Sequence, residues 1–156
     1  MNLLLMRHAK SSWDHEELED HDRPLNHRGR DAAPLMAEVL VESDLVPAMI
    51  LVSSSRRTQE TVERMLPILG SPIVKIEPGL YHAGPMKIWG FVEKYFRKND
   101  GTLLVVGHNP GLETVVSNIV GNIVPFPTGA IAHVERGPLN QNKVVAMWRP
   151  RELPAN

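Results

Sequence analysis

The sequence predicts an α/β protein: a single three-layer α/β/α domain around a mostly parallel central sheet. Apolar runs of about five residues recur along the chain, stretches with helical spacing separate them, and capping or turn residues mark most of the junctions. With 156 residues the chain is long enough to bury one sizeable core. Residues 1–150 are expected to form the domain, and 151–156, the end of "RPRELPAN", a loose C-terminal tail.

Strands are predicted at residues 2–6, 48–52, 73–76, 103–106, 130–134 and 144–148, because uninterrupted apolar runs suit strands covered on both faces. Asn26 can cap a first helix reaching about Glu42, with Ala33, Met36, Val39 and Leu40 on one side. Pro34 removes a backbone donor inside it and predicts a kink. A second helix is predicted over residues 57–69, its stripe formed by Val62, Met65, Leu66 and Leu69, with Pro67 near its end. The third begins at Pro85, a natural first-turn residue, and carries Ile88, Trp89, Val92 and Phe96. The fourth starts near Pro110, places Leu112, Val115, Val116 and Ile119 inside, and ends at Gly121.

Composition narrows the function classes. A net charge of -1 offers no overall basic field for nucleic acid or anionic membrane, so any anion site must be local. With 0 cysteines, disulfides, thiol catalysis and thiolate metal sites are excluded. The N-terminus lacks the basic and apolar regions of a signal peptide, and no window approaches the ~20 apolar residues of a membrane span. The expectation is a cytoplasmic protein with no nucleic-acid or membrane partner. Nothing in the pattern demands more than a monomer.

Ligands of open α/β sheets bind beyond the carboxyl ends of the strands. Three predicted strand ends carry related chemistry: "MRHAK" with Arg7 and His8, "SSSRRTQET" with Arg56 and Arg57, and "GHNPG" with His108 and Asn109. An arginine fork donates paired hydrogen bonds to the oxygens of a phosphoryl group and keeps its charge. A neutral histidine beside such a clamp can attack phosphorus and form a phosphohistidine that water later cleaves. His108 can then support negative charge on a phosphoryl oxygen.

These residues resemble the histidine phosphatase superfamily, whose fold is called phosphoglycerate mutase-like, and the likeness runs from "MRHAK" to "TGAIAHV". The family's Arg-His-Gly, Ser-Pro-x-x-Arg-Ala-x-Gln/Glu-Thr and Gly/Ser-His motifs read here as Arg7-His8-Ala9, Ser53 to Thr61, and Gly107-His108. Ala9, Ser54 and Thr58 depart from the pattern without touching a phosphate ligand. Counting from Ser53 and back from Thr61 selects Arg57 as the motif arginine and leaves Arg56 as a solvated neighbour. A narrower likeness, to the SixA-type phosphohistidine phosphatases, rests on "RHAKSSW" and "DHDRPLNHRG", and more loosely on "LYHAGP".

The resemblance implies His8 as nucleophile, Arg7, Arg57 and His108 as phosphoryl ligands, Arg23 as a further ligand, and Asp20 as the acidic residue near phosphorus. Asn109 adds a substrate-binding candidate. Because "DHEELEDHD" is acidic throughout, Asp22 and Glu77 stand beside Asp20 for that role. His15 and His21 lie among these carboxylates but match no metal-ligand spacing, so neither a metal nor another cofactor is expected.

Larger members of the superfamily insert a lid after the third strand. Here only a short segment separates residue 76 from the next helix, so no large lid is expected. A site with little cover suits a residue projecting from another protein better than a small free ligand. Phosphohistidine on a signalling or carrier protein is therefore the expected substrate. A small-molecule phosphomonoesterase or mutase, and a catalytically silent phosphate-binding module, are the alternatives on the same scaffold.

Overall fold

The structure is a computed structural model that describes residues 2–96, 101–138 and 141–153. In chain order its main elements are β1 (Asn2–Arg7), α1 (His27–Glu42), β2 (Met49–Val52), α2 (Arg56–Leu69), β3 (Ile73–Ile76), α3 (Pro85–Phe96), β4 (Leu103–Gly107), α4 (Gly111–Val120), β5 (Ile131–Arg136) and β6 (Asn142–Trp148). The strands form one sheet in the order β3–β2–β4–β1–β5–β6. Its first four members run parallel, and β5 and β6 complete it antiparallel.

Alternation along β1 builds the three layers. Successive strand residues face opposite sides of a sheet. Leu3 and Leu5 enter a core with Ile88, Val92, Leu112 and Val116 of α3 and α4. Leu4 and Met6 enter the opposite core with Ala33, Met36, Val62 and Met65 of α1 and α2. The predicted fold is thus the observed one, and no helix among the described residues is long and apolar enough to cross a membrane.

Some local expectations are corrected. β3 is apolar yet exposed along its length, with Ile73 at 58%, because it is an edge strand paired only with β2 and covered by neither helical layer. β6 is likewise half exposed at the other edge. α1 runs through Pro34 to Glu42 as one element, with the span the sequence predicts, and α2 runs through Pro67 to Leu69. The loose-tail expectation for 151–156 also changes: Pro150–Glu152 forms a 3-10 turn, and Leu153 packs against the α1/α2 core. Residues 154–156 lie outside the described residues.

Two glycines permit close approaches that shape the region beyond the strand ends. A Cβ at Gly29 would lie 2.1 Å from the Lys10 carbonyl oxygen, so glycine lets α1 close against the loop after β1. A Cβ at Gly111 would lie 2.1 Å from the Ala83 carbonyl oxygen, so α4 begins directly against the turn that precedes α3.

Candidate active site

Sheet register assembles the floor of the site. Arg7 pairs with Gly107 across β1 and β4, so His8 and His108 leave the sheet side by side, with ring centroids 5.4 Å apart. The His8 amide donates to the Gly107 carbonyl at 3.1 Å, and the Gly129 amide donates to the His8 carbonyl at 2.9 Å. β2 ends at Val52, opposite Val106, and the chain turns through serines into α2.

Ser55 caps α2, its hydroxyl accepting from the Thr58 amide at 3.3 Å. The Thr58 hydroxyl donates to the Ser53 carbonyl at 2.8 Å. Thr61 donates to the Arg57 carbonyl at 2.7 Å and accepts from the Ala9 amide at 3.0 Å, tying the first turn of α2 to the end of β1. Arg57 is thereby held against both imidazoles: its Nε lies 3.3 Å from His8 Nε2, and its Nη2 lies 3.4 Å from His108 Nδ1.

These neighbours fix the protonation of the floor. A carbonyl oxygen only accepts, so His8 Nδ1, 2.7 Å from the Ala9 oxygen, carries the proton. Arg57 Nε–H donates to the other ring nitrogen, leaving His8 neutral with its lone pair on Nε2. A guanidinium only donates, so His108 Nδ1 is an acceptor, and Nε2–H faces the Ser53 hydroxyl at 2.8 Å. Burial, then the Arg57 and Arg7 charges, push His8 down to about 3 against the Ala9 hydrogen bond. Burial, His8 and Arg57 push His108 down to about 2.

The rim is built from loops. Asp20 lies in a 3-10 turn, Asp20–Asp22, and its carboxylate collects donors. Arg57 Nη2 reaches it at 3.0 Å, the Tyr81 hydroxyl at 2.5 Å, and His82 Nε2 lies 3.3 Å away. Burial alone would raise the Asp20 carboxyl, but the Tyr81 hydroxyl and the Arg57 guanidinium hold it down at about 2. His82 stacks on Tyr81 at 4.0 Å and adopts a φ of 53°, a left-handed backbone that few non-glycine residues occupy. Arg23 donates to Ser11 at 2.7 Å and lies 3.4 Å from the centroid of the exposed Trp13 ring.

Floor and rim enclose a cavity of about 300 Å³ lined by Arg7, His8, Asp20, Arg23, Arg57 and His108, with Asn109 and His82 beside them. Among the described residues, Arg7 Nε and Arg23 Nε and Nη1 are buried without a hydrogen-bond partner, although Arg23 Nε lies 3.5 Å from the Asp20 carboxylate as an ion pair. Cationic donors without hydrogen bonds at such a site are suited to an anion with several acceptor oxygens.

Other sequence candidates lie differently. Asn109 lines the cavity, but its amide donates to the Phe126 carbonyl at 2.8 Å and accepts from the Glu113 amide at 3.2 Å, so its polar atoms serve the start of α4. Asp22 faces a separate surface hollow with Arg56, and Glu77 accepts the Tyr95 hydroxyl; neither lines the cavity. Arg56 pairs with Glu60 at 2.8 Å on the exposed face of α2. His15 and His21 do not converge: the first lies near Glu17, the second contacts Ser54. Sequence reasoning missed Ser53, Tyr81 and His82 as members of the constellation, although "LYHAGP" was a signal that this turn mattered.

Comparison with known proteins adds three likenesses. Phosphohistidine phosphatase SixA of Escherichia coli is 30% identical over 141 residues, covering 86% of this chain and 84% of that protein. An uncharacterized chloroplastic protein of Arabidopsis thaliana is 33% identical over 135 residues, covering 81% of this chain; the chain spans only 62% of that longer relative. A solved structure of the protein histidine phosphatase SixA complexed with tungstate superposes with a TM-score of 0.84 at 26% identity, covering 99% of this chain and 100% of that one. The sequence model of the histidine phosphatase superfamily (branch 1) matches residues 3–83, spanning the end of β1, the Arg57 motif and the Tyr81–His82 turn, and the chain belongs to that superfamily.

Proposed function

We propose that this protein removes the phosphoryl group from phosphohistidine on another protein, through a covalent phosphohistidine at His8. The observation that carries this reading is the His8 ring itself. Its Nδ1–H is committed to the Ala9 carbonyl, while its Nε2 lone pair sits beside Arg57 in a cavity where, among the described residues, Arg7 Nε and Arg23 Nη1 have no hydrogen-bond partner. Likeness to SixA supports the substrate class, and the solved SixA structure that superposes on this chain is a complex with tungstate, a tetrahedral oxyanion.

In the first step His8 Nε2 attacks phosphorus while the bond from phosphorus to the substrate's ring nitrogen breaks. Arg7, Arg23 and Arg57 hold the phosphoryl oxygens, with Arg57 exchanging its His8 contact for one of them. These guanidinia supply the positive charge that a divalent ion would otherwise provide, so the proposed enzyme is metal-independent. The dianion also favours a proton on His108, whose Nδ1 can then donate to a phosphoryl oxygen.

The leaving ring nitrogen needs a proton. Asp20, held ionised by its donors, does not supply it. His82 stands at the mouth, 57% exposed and oriented by that carboxylate, and in its protonated form can release a proton to the departing nitrogen. Asp20 is then a positioning residue for Arg57 and His82. In the second step water attacks phosphorus, neutral His82 takes the water's proton, and phosphate leaves His8 with its Nε2 lone pair restored. The retained Nδ1–H makes phosphorylated His8 an imidazolium, a good leaving group.

The site's limited cover supports a protein-borne substrate. Between β3 and α3 lie only residues 77–84, which include the 3-10 turn Pro78–Leu80. The cavity is at the small end of ligand sites, and the rim around it carries exposed Trp13 and His82. The test is hydrolysis of a histidine-phosphorylated carrier protein beside p-nitrophenyl phosphate and a panel of small phosphoesters, with and without EDTA. The phosphoprotein should be preferred, with activity intact in chelator. Preference for a small phosphoester would favour the phosphomonoesterase alternative, and loss in EDTA reversed by a divalent ion would overturn the arginine mechanism.

A further inference from the structure

A second hollow, of about 540 Å³, adjoins the catalytic cavity and shares Arg7, Lys10 and Thr128 with it. Five cationic side chains line it, Arg7, Lys10, Arg28, Arg149 and Arg151, against one carboxylate, Glu152. Glu152 is engaged with Arg149 at 3.4 Å, and Arg149 also donates to the Pro125 carbonyl at 2.9 Å. Lys10, Arg28 and Arg151 are exposed and have no ion-pair partner among the described residues.

This concentration of charge is local, since the chain as a whole carries a net charge of -1. The compensating carboxylates are grouped elsewhere. Asp14, Glu16, Glu17, Glu19 and Asp22 lie in the segment that supplies Trp13, Asp20 and Arg23 to the cavity, and none of them lines the hollow. The mouth of the site is therefore electrostatically two-sided. A partner carrying negative charge beside its phosphorylated residue is attracted to one side and repelled by the other, which orients it.

Resting on the phosphohistidine reading above, we infer that this groove binds an acidic segment of the phosphorylated protein, next in sequence or in space to the phosphohistidine. Gly29 contributes to the arrangement, because its missing Cβ brings α1, and with it Arg28, against the Lys10 backbone. The Pro150–Glu152 turn completes the groove with Arg151. A charged groove continuous with the cavity gives specificity to a site whose own volume holds little beyond the phosphoryl group and its ring.

Two synthetic phosphohistidine peptides test the inference, one flanked by glutamates and the other by glutamines. At low salt the glutamate peptide should show a KM roughly tenfold lower, as expected for a few exposed ion pairs acting together. The gap should close at high salt and in Arg28→Glu/Arg151→Glu, and narrow in the milder Arg28→Gln/Arg151→Gln. Turnover of p-nitrophenyl phosphate should be unchanged in both variants, since neither residue lines the catalytic cavity. Fluorescence anisotropy of an unphosphorylated, labelled glutamate peptide reads the groove independently of what the site hydrolyses. Peptide binding lost in the charge-reversal variant, without phosphopeptide hydrolysis, would support the groove and overturn the phosphohistidine reading. Equal affinity for the two peptides, unaltered binding in the variants, or tighter binding of a single-stranded oligonucleotide would overturn the groove.

Discussion

The floor and the rim of the cavity are built on different principles. His8, Arg57 and His108 are nearly buried and stand where β1, the β2–α2 junction and β4 end, in positions dictated by parallel strand register and a capped helix. Asp20, Tyr81 and His82 come from short turns and hold one another through a shared carboxylate. In the proposed mechanism, rigid elements fix the groups that meet phosphorus, while loops carry the groups that meet the leaving group. A change in the floor should therefore harm every substrate, and one in the rim should depend on what is leaving.

The largest expected effect is at the floor. His8→Ala removes the proposed nucleophile and should lower kcat by about 10⁴-fold or more on every phosphorylated substrate. Rapid-quench trapping of labelled phosphoenzyme should show an acid-labile adduct in the native protein and none in the variant. Residual turnover within tenfold of native would remove His8 from the mechanism.

That contrast also explains what was legible beforehand. Arg7, His8, Arg57 and His108 lie at the ends of apolar runs, so the strand pattern predicted both their level and their convergence. Arg57 could be separated from Arg56 by motif spacing, in agreement with its inward position. His82 escaped notice because its place depends on a left-handed turn, on Tyr81 stacking and on an aspartate about sixty residues earlier in the chain, a relationship with no period in the sequence. The apolar run of β3 predicted a strand but not its exposure, because edge position is a property of sheet order. Asn109 sat in the right motif, yet its hydrogen bonds to Phe126 and Glu113 emerge only from the folded loop.

A sharper test of the rim is His82→Asn. Because His82 acts as base on the phosphoenzyme whatever the substrate, the comparison is made on the first step, by rapid-quench formation of phosphoenzyme. With p-nitrophenyl phosphate, whose leaving group needs little protonation, that rate should change little; with phenyl phosphate, a poorer leaving group, the loss should be about 10²-fold, the lower end of a general acid's contribution. Equal losses in this step on both substrates would remove His82 as the general acid. Next in size is the register test at α2. Arg57→Ala removes charge-assisted hydrogen bonds of about 1.5 to 3 kcal/mol, or roughly one to two orders of magnitude in kcat/KM. Arg56→Ala disrupts an exposed pair with Glu60 and should cost under about twofold. Comparable losses at the two positions would mean that the floor does not depend on inward placement.

The last expected effect is on stability rather than rate, and it separates floor from rim by pH. In the folded protein His8 is held at about 3 and His108 at about 2, both below their ordinary 6.5. As pH falls below about 6.5 the unfolded chain takes up protons at these positions and the folded chain does not, so each imidazole opposes folding by up to about 1.4 kcal/mol per pH unit. Asp20 has the opposite sign: lowered from 3.8 to about 2, it contributes stability that is complete above pH 4 and lost as pH falls through about 2. Between pH 7 and pH 5 the floor is thus already destabilising, while the rim carboxylate contributes undiminished. The thermal midpoint should fall by roughly 8 to 15 °C over that interval. His8→Asn/His108→Asn should flatten most of the slope, leaving the smaller contribution of His133, which burial also lowers. Asp20→Asn should shift the midpoint at both pH values by a similar amount and leave the slope intact. A native slope retained in the double histidine variant would show that the neutral floor imidazoles do not set the acid sensitivity of the fold.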